Sequence, residues 1–83
     1  MMKDFEIQET VLKQLAEIAP EADLTRLDPG LRFRDQFTFD SVDFLSFATA
    51  LSETFHLAIP EIDYPRLATL AGCMAYLQAR LGP

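Results

Sequence analysis

Apolar residues return at helical intervals in three separate stretches of this chain, and no strand pattern is read in it. In the first, Ile7, Val11, Leu15 and Ile18 stack on one stripe with Leu12 beside them. This spacing predicts a helix over 4–19, with Asp4 as N-cap and Pro20 just past its end. In the second, Phe44, Phe47, Leu51 and Phe55 share a face that Leu45 and Ala48 widen, predicting a helix over 41–56. It stops before Ile59-Pro60, because a residue preceding proline is pushed away from helical angles. In the third, Leu70, Cys73 or Met74, Leu77 and Leu81 are periodic behind Thr69, a good cap. A helix over 70–81 follows, ended by Gly82-Pro83.

Between these stretches the pattern breaks. Residues 20–40 form a long connection, yet carry Leu24, Leu27, Leu31, Phe33, Phe37 and Phe39, too much apolar surface to leave in water. The segment is expected to lie across the bundle, with a short helical piece near 29–36 begun by Asp28-Pro29 despite Gly30. Residues 61–66 allow a short irregular helix cut off near Pro65. The fold class is therefore all-α, a bundle of three main helices and one minor one. At 83 residues the chain is read as a single domain, 1–83, with room for one modest core.

Composition narrows the partners. Thirteen acidic against seven basic residues give a net charge of −6, so no counterion release favours nucleic acid. Such a surface suits basic patches on other proteins better. The lone Cys73 excludes an internal disulfide and fits a reducing compartment. No apolar run reaches the ~20 residues of a membrane helix, and the opening residues lack a signal peptide's apolar core. The expected setting is the cytoplasm, the expected state a monomer.

The stretch "FTFDSVDFL", residues 37–45, holds the chemistry. A serine before an apolar helix is ordinarily its cap. Here the spacing favours Asp40, because Asp43 then falls at the third helical position and completes an acidic version of the capping box. Were Ser41 the cap, Phe44 would stand there and could reciprocate nothing. Ser41 thus becomes the first helical residue, its hydroxyl turned to solvent near unpaired N–H groups that favour an anion. A nucleophilic role requires a base within reach. The sole histidine, His56, lies fifteen residues along the same helix, about 22 Å away at 1.5 Å per residue. One His and one Cys make no transition-metal site, and the acids lack calcium-loop spacing. No enzyme is read here.

Residues 39–77, "FDSVDFLSFATALSETFHLAIPEIDYPRLATLAGCMAYL", resemble the acyl carrier proteins. The likeness rests on Asp40-Ser41-Val42, Asp43 behind it, Ala50-Leu51 and Phe55, Ile59-Pro60, Thr69 and Tyr76, in order and without a gap. The resemblance implies a four-helix carrier fold. It also implies a 4′-phosphopantetheine arm, moved from coenzyme A onto Ser41 by a phosphopantetheinyl transferase. The arm's thiol would hold acyl groups as thioesters for acyl-loading and acyl-transfer enzymes of fatty-acid, lipid or polyketide-type biosynthesis. Asp40 would position the serine and help organise the metal ion of the transferase complex. Asp43, Val42, Phe44 and Glu53 would form the docking surface. Leu45, Leu51, Ile59, Ile62, Leu67 and Leu70 are candidate liners of an acyl pocket, although ordinary core is the commoner role for such residues.

This chain departs from the family's pattern in several places. Ser46 and Ser52 stand where fatty-acid carriers commonly have acids, Thr38 replaces a frequent glycine, and Pro65 interrupts the third helix. Arg32 and Arg34 add a basic spot, for which a solvated pair near Asp35 is the plain account. A stand-alone carrier for a specialised pathway is the expectation. The competing readings are an unmodified carrier-like adaptor docking through Phe44, and a small Ser41 hydrolase, which His56 disfavours.

Overall fold

The first helix begins where Glu6 reaches back: its carboxylate accepts the Lys3 N–H at 3.0 Å, so Lys3 is the last extended residue. In the computed structural model, which describes residues 2–82, α1 accordingly runs Asp4–Ile18. Asp4 is therefore not the cap but the first helical residue, where its charge suits the positive end of the dipole. At the other end Ala19 leaves helical angles at φ −125°, since Pro20 excludes them for its predecessor, and α1 stops one residue short of expectation. The stripe of Ile7, Val11 and Leu15 is buried.

The long connection is more ordered than its sequence pattern suggests. Two single turns of 3-10 helix interrupt it, η1 at Leu24–Arg26 and η2 at Phe33–Asp35. The expected helical piece over 29–36 shrinks to η2, because Arg32 stays extended and Asp28 spends its carboxylate on the Gly30 N–H at 2.9 Å. The η1 turn was unforeseen; its signal is Asp23, whose Oδ1 accepts the Thr25 N–H at 3.1 Å. Gln36 then staples the segment, donating to the Asp28 and Leu31 carbonyls at 2.8 and 2.9 Å and accepting the Asp28 N–H at 2.8 Å. Two backbone bonds fix it across the bundle: Phe33 N–H to Ala68 O at 3.0 Å, and Ala71 N–H to Pro29 O at 2.9 Å.

Helix α2 spans Ser41–Phe55 and presents Phe47, Ala48, Leu51 and Phe55 to the interior. It ends one residue before the expected His56, which adopts left-handed angles, φ 54° and ψ 46°, as the closing residue. Both His56 and Leu57 N–H groups bond the Ser52 carbonyl.

A third 3-10 segment, η3, spans Glu61–Leu67 and passes through Pro65 instead of being cut off there. It outlasts the three or four residues usual for this geometry. Tyr76 helps hold it: its hydroxyl donates to Asp63 Oδ2 at 2.7 Å and accepts from Arg80 Nη1 at 2.6 Å, while Arg80 Nη2 donates to the Ala58 carbonyl at 2.8 Å.

Helix α3, Leu70–Leu81, starts on Thr69, whose Oγ1 accepts the Gly72 N–H at 2.9 Å. Glycine is required at 72: a methyl group there would overlap the Arg66 carbonyl, so η3 and α3 meet backbone to backbone. Gly82 at φ 52° closes the helix; the part of that stop signal assigned to Pro83 lies outside the described residues.

The elements share one core in which phenylalanines dominate. Phe33, from the connection, is 1% exposed and meets Phe39 and Phe47 edge to face at 5.6 and 5.5 Å. Among the described residues there is no strand. The architecture is an all-α bundle whose fourth, short member is η3.

Candidate functional site

The N-terminus of α2 is closed without help from the serine. Asp40 Oδ1 accepts the Asp43 N–H at 2.8 Å, and Asp43 Oδ2 accepts the Asp40 N–H at 3.2 Å. Phe44 N–H bonds the Asp40 carbonyl at 2.9 Å. Ser41 is exposed, and no described residue hydrogen-bonds its hydroxyl or the N–H groups of Ser41 and Val42. A primary alcohol thus stands at the positive end of a fifteen-residue helix beside two open donors. That chemistry suits an ester-linked anion. It does not suit a nucleophile, because His56 sits at the opposite end of the same helix.

Ser41 opens onto a cleft of about 820 Å³ between η2, residues 38–40, the first turn of α2 and the end of η3. Phe33, Phe39 and Phe44 give it an apolar floor, Pro65 and Ala68 its far wall, and Arg32 and Arg34 one rim. Arg32 is tied to Asp35, Nε to Oδ2 at 2.9 Å. Asp35 therefore accounts for only one of the two arginines. No carboxylate among the described residues pairs with Arg34.

The other residues singled out in the sequence scatter. Val42 and Glu53 are exposed on α2, and Asp43 is half-buried by its capping role. Phe44 is half-buried, edge to face with Phe39 at 6.4 Å and Tyr64 at 6.1 Å. Of the six candidate liners, Leu51, Leu67 and Leu70 belong to the packed core, and Ile59 is packed against it. Leu45 and Ile62 are 50% and 85% exposed, so neither lines an interior pocket. Leu45 lies off the inward stripe of α2, and Ile62 stands on the outer side of the η3 turn. The cleft actually beside Ser41 shares none of these six residues. Sequence reasoning missed it because its walls come from three elements brought together only by the fold.

Cys73 is wholly buried, and burial pushes its thiol up to about 12, which leaves it inert at neutral pH. Burial, reinforced by the bond to Asp63 and opposed by Arg80, raises the Tyr76 phenol. Neither group adjoins Ser41. Among the described residues no cluster of His, Cys, Asp and Glu could hold a metal ion, and no helix is long and apolar enough to cross a membrane.

Comparison with known proteins points the same way. Residues 9–77 match the family model described as "Phosphopantetheine attachment site". The acyl carrier protein of Helicobacter hepaticus is 29% identical over 79 residues, which cover 94% of this chain and 97% of that protein. That of Lactobacillus johnsonii is 25% identical over 75 residues, covering 87% and 94%. This chain belongs to the acyl carrier protein family, a carrier of covalently attached 4′-phosphopantetheine and not an enzyme.

Proposed function

We propose that Ser41 is the residue that bears the arm, and that the protein presents acyl groups to partner enzymes of a specialised biosynthetic pathway. The observation that carries this reading is the closed Asp40–Asp43 box, which leaves the Ser41 hydroxyl unclaimed at the head of α2. The arm supplies a terminal thiol that holds the acyl group as a thioester. The chain's own residues do the rest. Ser41 provides the oxygen for a phosphodiester, and the N–H groups of Ser41 and Val42 lie where its negative charge gains from the helix dipole. Asp40 fixes the turn and is placed beside the serine to meet a cation brought by a phosphopantetheinyl transferase. Asp43 locks that geometry from the other side.

The exposed side of α2 supports the specialised role. Val42, Leu45, Ser46 and Thr49 stand on it, with Glu53 the acid farther along. A partner reading this surface meets more apolar and hydroxyl groups than carboxylates. Its affinity should fall only weakly with salt, because few exposed charges are screened. Acyl-loading and acyl-transfer enzymes are the partner class, and a monomer in the cytoplasm is the working state proposed.

The test is thioester formation on the intact protein. After arm transfer from coenzyme A and acylation, the protein should carry one acyl group that neutral hydroxylamine releases, and the Ser41→Ala variant should carry none. Acylation that survives hydroxylamine, or that persists in Ser41→Ala, would contradict the proposal. A chain that takes up no acyl group under any loading condition would instead be the unmodified adaptor.

A further inference from the structure

We infer that the cleft beside Ser41 receives the acyl cargo, and that Arg34 selects cargo ending in a negatively charged group, an acyl chain with a distal carboxylate. This rests on the reading of Ser41 as the attachment point. Three observations carry it. The cleft opens at Ser41 itself, and its volume of about 820 Å³ lies within the range that small-molecule sites occupy. Its accessible apolar surface comes from half-buried Phe44 and Ala68 and exposed Pro65, backed by the buried rings of Phe33 and Phe39, so methylene groups can lie on it. The interior alternative is already filled, because Leu51, Leu67 and Leu70 are 0%, 0% and 6% exposed and packed together with the aromatic side chains.

The rim supplies the selectivity. In a chain of net charge −6, two of the three guanidinium groups of the first connection, Arg32 and Arg34 but not Arg26, line this one cleft. Asp35 neutralises Arg32 at 2.9 Å, and no carboxylate among the described residues pairs with Arg34. A neutral aliphatic end would leave Arg34 unmatched beside an apolar surface. A carboxylate there gains a charge-assisted, two-pronged hydrogen bond that a guanidinium is shaped to give. An acyl body on Phe44 and Pro65 with its charged end at Arg34 satisfies both parts of the cleft.

The experiment compares two cargoes of equal length on the intact protein: hexanoyl and adipoyl groups, loaded from their coenzyme A thioesters by a broad-specificity transferase and verified by mass. Spontaneous hydrolysis of the thioester and ¹H–¹⁵N spectra are then recorded at pH 7. The adipoyl thioester should hydrolyse more slowly than the hexanoyl one by about 2–5-fold, the range an exposed ion pair supports. It should also shift the Arg34 Nε–H resonance, which hexanoyl leaves in place. In Arg34→Gln the two rates should become equal, Arg34→Lys should retain part of the difference, and 1 M salt should abolish it.

Equal rates in the unmodified chain would overturn the inference. So would a difference that survives Arg34→Gln, or spectral changes centred on Leu51, Leu67 and Leu70. An Arg34 shift already complete on adding the bare arm would assign Arg34 to the phosphate and overturn cargo selection. Failure of either cargo to add any mass would sink the carrier reading itself, before the two are compared.

Discussion

Replacing Phe33 by alanine tests whether the long first connection is part of the core or merely lies on it. The side chain is 1% exposed and meets Phe37, Phe39 and Phe47 at 6.0, 5.6 and 5.5 Å. Its backbone N–H is bonded to Ala68 O, so the segment cannot easily collapse into the space left behind. Loss of a buried phenylalanine side chain with little relaxation costs about 3–5 kcal/mol. A chain of 83 residues holds roughly 4–12 kcal/mol in all, so Phe33→Ala should sit near the edge of folding. Phe33→Leu keeps most of the volume but loses three aromatic contacts, each worth about 0.5–1.5 kcal/mol, and should cost at least about 1.5 kcal/mol. Urea unfolding followed by far-ultraviolet circular dichroism measures both. As the control on the same segment, Leu31→Ala, at a residue 49% exposed, should change stability by less than ~0.5 kcal/mol. A loss below about 1 kcal/mol for Phe33→Ala, with an unchanged urea slope, would refute the claim that the connection is core.

The remaining predictions concern single groups. Asp40→Ala removes the N-cap side chain of α2 and should cost about 0.5–2 kcal/mol in urea unfolding, while Glu53→Ala on the same helix should be nearly silent. His56→Gly relieves a left-handed residue at the end of α2 and should raise stability by about 0.5–1 kcal/mol; a loss would show that the imidazole contributes more than the strain costs. The Cys73 thiol ionises at about 12 in the fold but near 9 when unfolded. The unfolded state therefore loses its proton first as pH rises, and stability attributable to this group is intact below pH 9. Above it, stability falls by about 1.4 kcal/mol per pH unit until pH nears 12. Urea midpoints from pH 8 to 10 should show this slope, reduced in Cys73→Ala. Tyr76→Phe breaks the link between Asp63 and Arg80, should cost about 1–2 kcal/mol, and should speed amide exchange across η3 more than across α1.

The parts of this fold legible in the sequence are those set by neighbours in the chain. The stripe Ile7, Val11, Leu15 marks α1 because three- and four-residue spacing leaves few alternatives. Asp40 and Asp43 announce their box because capping is decided within four residues, and Thr69 announces α3 for the same reason. The misplaced boundaries have equally local causes: Glu6 fixes Lys3 as the cap, and Pro20 strips Ala19 of helical angles. The illegible parts depend on contacts distant in sequence. The role of Gln36 as a staple, the approach of Gly72 to the Arg66 carbonyl and the Tyr76 network leave no periodic trace.

The site divides along the same line. The freedom of Ser41 follows from the spacing of two aspartates. The cleft at its side requires η2, η3 and α2 to be brought together first. The outward placement of Leu45 and Ile62 is not legible in the sequence, because α2 carries apolar residues on more than one face and η3 follows a period other than the α-helical one.

The most direct trial of the account is the intact mass of the protein after incubation with coenzyme A and a broad-specificity phosphopantetheinyl transferase. A gain of one phosphopantetheine, located by fragmentation on Ser41 and lost in Ser41→Ala, is the predicted outcome. An unchanged mass, or an arm found on any residue other than Ser41, would contradict it.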